Sequence, residues 1–182
     1  YALGPEVDSV VIGGCWNCYF VGQGATDYYF RDSSNKVHPF QNGDGIEHSL
    51  ASMEFTLREL ARRKKVYLLL DNPAGTEFSP KRLIEGSRLT RMEVMTSTPT
   101  TPLPADQKQL NDRLRAIAAA SGAEAIDAMA VLCKTDQCLR TMPDGSPAYK
   151  DADHLRPRYT REEASYFDRT VRTAPAAQQP SR

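Results

Sequence analysis

Residues Val66-Tyr-Leu-Leu-Leu70 make a continuous apolar run that stops at Asp71-Asn-Pro73. A strand that is apolar at every position, without alternation, needs cover on both faces, which is the situation of a strand in a parallel sheet. The neighbouring stretches agree with that demand. Upstream, Asp8-Ser-Val-Val-Ile-Gly-Gly14 is a β-branched run closed by two glycines, which predicts a buried strand ending in a tight turn. Between the two runs, Ile46, Leu50, Met53, Leu57 and Leu60 recur at the helical period. Arg58, Arg62, Arg63, Lys64 and Lys65 crowd the last turns of that helix, predicted over 46–65, where cations suit the dipole.

The pattern then repeats. Leu110, Leu114, Ile117 and Ala118 predict a second amphipathic helix ended by Gly122, and Ala123–Ala128 reads as a third strand. A final helix is predicted from Thr160 to Thr173, with Thr160 and Glu163 as a capping box. Residues 22–45 and 74–103 read as loops, and Thr96–Pro104, rich in Thr and Pro, as an exposed linker. Alternating helices and strands argue for one α/β domain over 1–173, a three-layer α/β/α sandwich with a mostly parallel sheet. Residues 174–182, rich in Pro, Ala and Gln, read as a flexible C-terminal tail.

Length and charge narrow the function. The 182 residues suffice for one sizeable core, and 23 basic against 23 acidic side chains point to neither nucleic acid nor an anionic membrane surface. No apolar run reaches the roughly 18 residues that a membrane helix needs. The chain opens on Tyr1 with no basic-then-apolar leader, so it reads as cut from a larger protein or processed.

The chemistry concentrates in Tyr149-Lys-Asp-Ala-Asp-His-Leu-Arg-Pro157. Asp151 precedes His154 by three residues in what should be a tight turn, close enough to accept a hydrogen bond from Nδ1–H and leave Nε2 as a base. Cys133 and Cys138 lie five apart in a polar loop, within the ~5.5 Å Cα separation of a disulfide. That reading is favoured over two free thiols and implies an oxidising environment. Cys15-Trp-Asn-Cys18 is read as a second local disulfide or two buried thiols beside Trp16. A dithiol redox centre and a four-cysteine zinc site with Cys133 and Cys138 are the less favoured alternatives. His38 and His48 read as solvated. No metal or cofactor set is evident, and no serine sits in a Gly-x-Ser-x-Gly or Gly-Asp-Ser turn; Ser87 follows Gly86 without a preceding strand.

Taken in order, these segments resemble the SGNH family of esterases and acyltransferases. The resemblance is strongest to the C-terminal periplasmic SGNH domain attached to membrane-bound acyltransferase-3 proteins, which O-acetylate bacterial surface polysaccharides such as lipopolysaccharide. It rests on Asp8–Trp16, the 46–65 helix with Val66–Pro73, Ile126-Asp127 leading to Leu132-Cys133 and Cys138, and Gly145–Leu155, in order from about residue 7 to 170. It implies a flavodoxin-like sheet and no cofactor, with Asp151 as the orienting carboxylate and His154 as the general base. Gly14 and Asn17 stand in the oxyanion-hole position, although Gly14-Cys-Trp-Asn17 departs from the family's Gly-x-Asn-Asp. Arg156 replaces the small hydroxyl residue usual after His-Leu.

The family's Gly-Asp-Ser block, with its first strand and nucleophile, has no counterpart here and is expected upstream of Tyr1 in the parent protein. The implied partners are an acetyl donor, a polysaccharide acceptor and an upstream membrane acyltransferase domain; the implied location is the periplasm, at the inner membrane. Two other classes stay open, a catalytically inactive glycan- or partner-binding module and a redox protein built on Cys15 and Cys18.

Overall fold

A computed structural model describes residues 1–21, 28–86, 89–95 and 99–171. Its elements run β1 (Ser9–Ile12), α1 (Trp16–Phe20), β2 (Tyr29–Arg31), β3 (Val37–Pro39), α2 (Gly45–Ala61), β4 (Lys65–Leu69), β5 (Ile84–Glu85), β6 (Glu93–Val94) and β7 (Thr100–Pro102). They continue with α3 (Ala105–Ser121), β8 (Glu124–Ile126), α4 (Ala128–Leu132), β9 (Cys133–Lys134), β10 (Gln137–Leu139) and α5 (Pro157–Glu162).

The apolar run at 66–70 does what its composition demands. β4 is the centre of a parallel sheet ordered β1-β4-β8, with Val10 opposite Val66 and Leu68 opposite Ala125. Its side chains alternate between two cores. Val66, Leu68 and Leu70 pack with Leu50 and Leu57 of α2 and Leu110, Leu114 and Ala118 of α3. Tyr67 faces the opposite layer, where it joins Phe78, Ile126, Leu132, Tyr149, Tyr159 and Tyr166. Because the strand order advances in one direction, both crossover helices fall on one face, as right-handed connections require. The far face is covered by α4, α5 and a 3-10 segment, Ser165–Thr170. This is the α/β fold read from the sequence. Among the described residues β1 pairs with β4 alone, and Val11 is 45 % exposed at that sheet edge.

Several boundaries differ from expectation, each for a physical reason. α2 ends at Ala61, not at Lys65, because Lys65 already pairs with Ser9 in the sheet. The third strand is only Glu124–Ile126, since Asp127 accepts the Met129 and Ala130 amides and starts α4. Gly122 closes α3 at φ +78°, as expected of a left-handed cap. The final helix begins earlier, with Pro157 in its first turn, and breaks after Glu162; residues beyond 171 lie outside the described set. Thr160 is therefore inside a helix, where Oγ1 donates to the Pro157 carbonyl at 3.0 Å, so the expected capping box does not form.

The two long loops carry structure as well. Residues 28–45 hold the β2–β3 hairpin, with Phe30 opposite His38. Within the expected linker, β7 pairs antiparallel with β10, and Thr101 is 7 % exposed. Residues 96–98 of that segment, Ser87, and the expected tail at 174–182 lie outside the described residues.

Candidate active site

The Asp151–His154 turn is an antiparallel bridge of Tyr149 with Leu155, closed by the Lys150 amide donating to the His154 carbonyl at 2.8 Å. Tyr149 is fully buried and anchors the turn in the aromatic layer, with its ring 5.0 Å from Phe78. Inside the turn one oxygen of Asp151 is fully engaged. Its Oδ1 accepts the amides of Asp153 and His154 at 2.9 Å each and the His154 Nδ1–H at 2.9 Å. Those bonds stabilise the anion and pull its pKa down to about 2. With Nδ1 held by the Asp151 carboxylate, Nε2 is the nitrogen of His154 left for chemistry, and the side chain is 74 % exposed.

A pocket at the carboxyl ends of β1 and β4 receives this histidine. It is lined by Gly14, Leu69, Asp71, Asn72, Asp153 and His154 among others. Carboxyl ends of parallel strands are where ligands gather in open α/β sheets. A second depression, sharing Asp71, Asn72 and Asp153 with the first, is lined by Cys15, Asn17 and Cys18. Gly14 therefore lies in the pocket with His154, whereas Asn17 lies in the adjoining one. Asn17 is 8 % exposed, and neither its side-chain nitrogen nor its oxygen has a hydrogen-bond partner.

Asp71 and Asn72, which the sequence offered only as the end of a strand, hold these pieces together. The Asp71 carboxylate accepts the Asn17 amide at 2.5 Å, and Trp16 Nε1 donates to the Leu69 carbonyl at 2.7 Å, so α1 is fastened to the end of β4. Burial outweighs the amides that Asp71 accepts from Asn17 and Trp16 and pushes its pKa up to about 6. Asn72 Nδ2 donates to the Asp153 carbonyl at 3.0 Å, and the Gly75 amide donates to the Ala152 carbonyl at 2.9 Å. From α3, Gln107 exchanges two hydrogen bonds with Ala74, and Asn111 Nδ2 donates to the Asp71 carbonyl at 3.3 Å. The signal that could have found Asp71 and Asn72 is their place just past the central parallel strand.

Both cysteine pairs are bonded locally, Cys15 with Cys18 and Cys133 with Cys138, with Cα separations of 5.1 and 3.9 Å. That pairing removes the four-cysteine zinc alternative. The CxxC segment opens a helix of only five residues. Cys133 and Cys138 face each other across the β9–β10 hairpin. His38, expected to be solvated, is 5 % exposed and sits between two carboxylates, with Nδ1 2.8 Å from Asp44 and Nε2 3.2 Å from Asp32. The hairpin and α2 enclose it, which no local pattern announced.

A family model described as an SGNH domain fused to AT3 domains matches residues 2–169. No curated protein and no solved structure is found that matches the chain.

Proposed function

Since the chain belongs to the SGNH domains fused to AT3 domains, an acyl-transfer and esterase-type group, we propose that His154 and Asp151 are the base and orienter of a Ser-His-Asp triad. The observation that carries this is the 2.9 Å bond from His154 Nδ1 to the turn-held carboxylate of Asp151 beside a strand-end pocket. A serine Oγ attacks the acetyl carbonyl while His154 Nε2 takes its proton, and the tetrahedral oxyanion is met by the Gly14 amide and the Asn17 side chain. Collapse expels the donor, protonated by His154, and leaves an acetyl-serine ester. A sugar hydroxyl, deprotonated by the same Nε2, then attacks the ester, takes the acetyl group and frees the serine.

On this reading the serine is carried by a strand laid against β1. The edge position of β1, which among the described residues pairs with β4 alone, supports that placement. The acceptor is a bacterial surface polysaccharide. The fusion to AT3 domains gives a membrane-associated parent, while among the described residues no helix is long and apolar enough to cross a membrane. Two disulfides favour the periplasmic side. The test is p-nitrophenyl acetate hydrolysis by the parent protein with and without His154→Ala. Loss of turnover in the variant is expected, and equal rates in the two would sink the assignment in favour of a module that only binds.

A further inference from the structure

Two of the three histidines lie away from the candidate active site, and the fold brings them together. His38 on β3, Asp44 at the start of α2 and His48 one turn further along offer three donor atoms within 4.8 Å of one another. We propose that His38 Nδ1, an Asp44 carboxylate oxygen and His48 Nε2 form a binding site for a divalent zinc-type cation, with water completing the coordination.

The distances suit such an ion. Zinc ligand atoms sit about 2.0–2.1 Å from the metal, so in a tetrahedron they stand roughly 3.3 Å from each other. Here His38 Nδ1 is 2.8 Å from Asp44 Oδ1 and His48 Nε2 is 3.2 Å from Asp44 Oδ2, so the imidazoles approach the two oxygens of one carboxylate, and one donor atom from each residue lies within 4.8 Å of the others. Two imidazoles and one carboxylate form a borderline donor set, which selects zinc-type ions over calcium or magnesium. The cysteines do not compete, because all four are in disulfides.

The surroundings orient the donors. Asp32 Oδ2 lies 3.2 Å from His38 Nε2 and holds that N–H, which leaves Nδ1, 2.8 Å from Asp44, as the nitrogen a cation would take. A carboxylate holding the far nitrogen is the usual partner of a metal-bound histidine. Asp32 is itself fixed through Oδ1, which accepts the Ser34 amide and hydroxyl at 2.9 and 2.7 Å and the Lys36 amide at 2.9 Å. Phe30 stacks on the His48 ring at 5.6 Å with a 9° tilt, and the two imidazoles are 4.0 Å apart. His38 is buried, while Asp44 and His48 are open enough for an ion and its water to enter. On binding, the metal replaces the proton that otherwise bridges His38 Nδ1 and Asp44.

The hairpin would gain a pin to α2. Its next residue, Phe40, stacks on Phe20 of α1 at 5.6 Å, so the site braces the helix that carries Asn17.

The experiment titrates the disulfide-bonded chain with Zn²⁺ against a chromogenic chelator at neutral pH and follows thermal unfolding alongside. One ion per chain is expected, with a rise in Tm. His48→Gln, a change at a half-buried position, should weaken binding at least tenfold and abolish the Tm rise, and Asp32→Asn should weaken it about tenfold or more. His154→Gln should leave zinc binding unchanged. Failure to bind one equivalent with Kd below about 100 μM, binding indifferent to His48→Gln, or binding lost with His154→Gln would each overturn the proposal.

Discussion

Asn72 Nδ2 donates to the Asp153 carbonyl at 3.0 Å, so a residue just past the central strand holds the turn that presents His154. Removing the amide in Asn72→Ala should loosen that turn. Stability should fall by about 1 kcal/mol, while kcat of the parent enzyme should fall roughly tenfold or more, with KM little changed, because positioning is lost and not binding. Steady-state kinetics beside a urea melt check both.

His154→Ala should reduce acetyl-ester turnover to the level left by binding and the oxyanion donors alone. Asp151→Asn should lower kcat by about 10³–10⁴, since an amide cannot hold the Nδ1–H tautomer as the anion does. An Asp151→Asn enzyme as fast as the wild type would remove Asp151 from the mechanism.

Asn17→Leu separates two roles. The buried amide has both polar atoms unpaired, so a leucine of similar size should stabilise the fold by about 1 kcal/mol. If Asn17 stabilises the oxyanion, the same variant should lose about 10²–10³ in kcat. A stabilised variant of full activity would confine Asn17 to structure.

Asp71 gives a pH signature. Its folded pKa of about 6 lies above the unfolded value near 3.8, so between those limits the folded state holds the extra proton. Stability from this group is therefore greatest in acid and falls as pH rises from about 4 to 6, by at most about 3 kcal/mol. Asp71→Asn should remove that fall, so the difference in unfolding free energy between the two proteins should change across this window and stay level from pH 7 to 8. Parallel curves at pH 4 and 7 would contradict the buried, destabilised charge.

Replacing both Cys133 and Cys138 with serine should cost about 2 kcal/mol, the loop-closure value for so short a span. Denaturant midpoints of the oxidised wild type and the double variant provide the comparison.

Local chemistry made much of this legible. The unbroken 66–70 run announced a buried parallel strand, Gly122 its helix end, and the three-residue step from Asp151 to His154 the paired turn. Misreadings came where partners are distant in sequence. Thr100–Pro102 looks like a linker until β10 arrives, and His38 looks solvated until the hairpin and α2 enclose it. The Thr160–Glu163 signature was real as a pattern, but Pro157 had already fixed the helix start. Asp71 and Asn72 read as punctuation because their partners, Asn17 and Asp153, lie 54 and 81 residues away.

The alternation of β4 has one last consequence. Val66 and Leu68 serve one layer and Tyr67 the other, so a slip of a single residue against β1 and β8 would send every side chain into the wrong layer. The same slip would displace Asn72 by about 3.3 Å along the strand and break its bond to the Asp153 carbonyl. A misregistered sheet would thus be both unstable and unable to present His154.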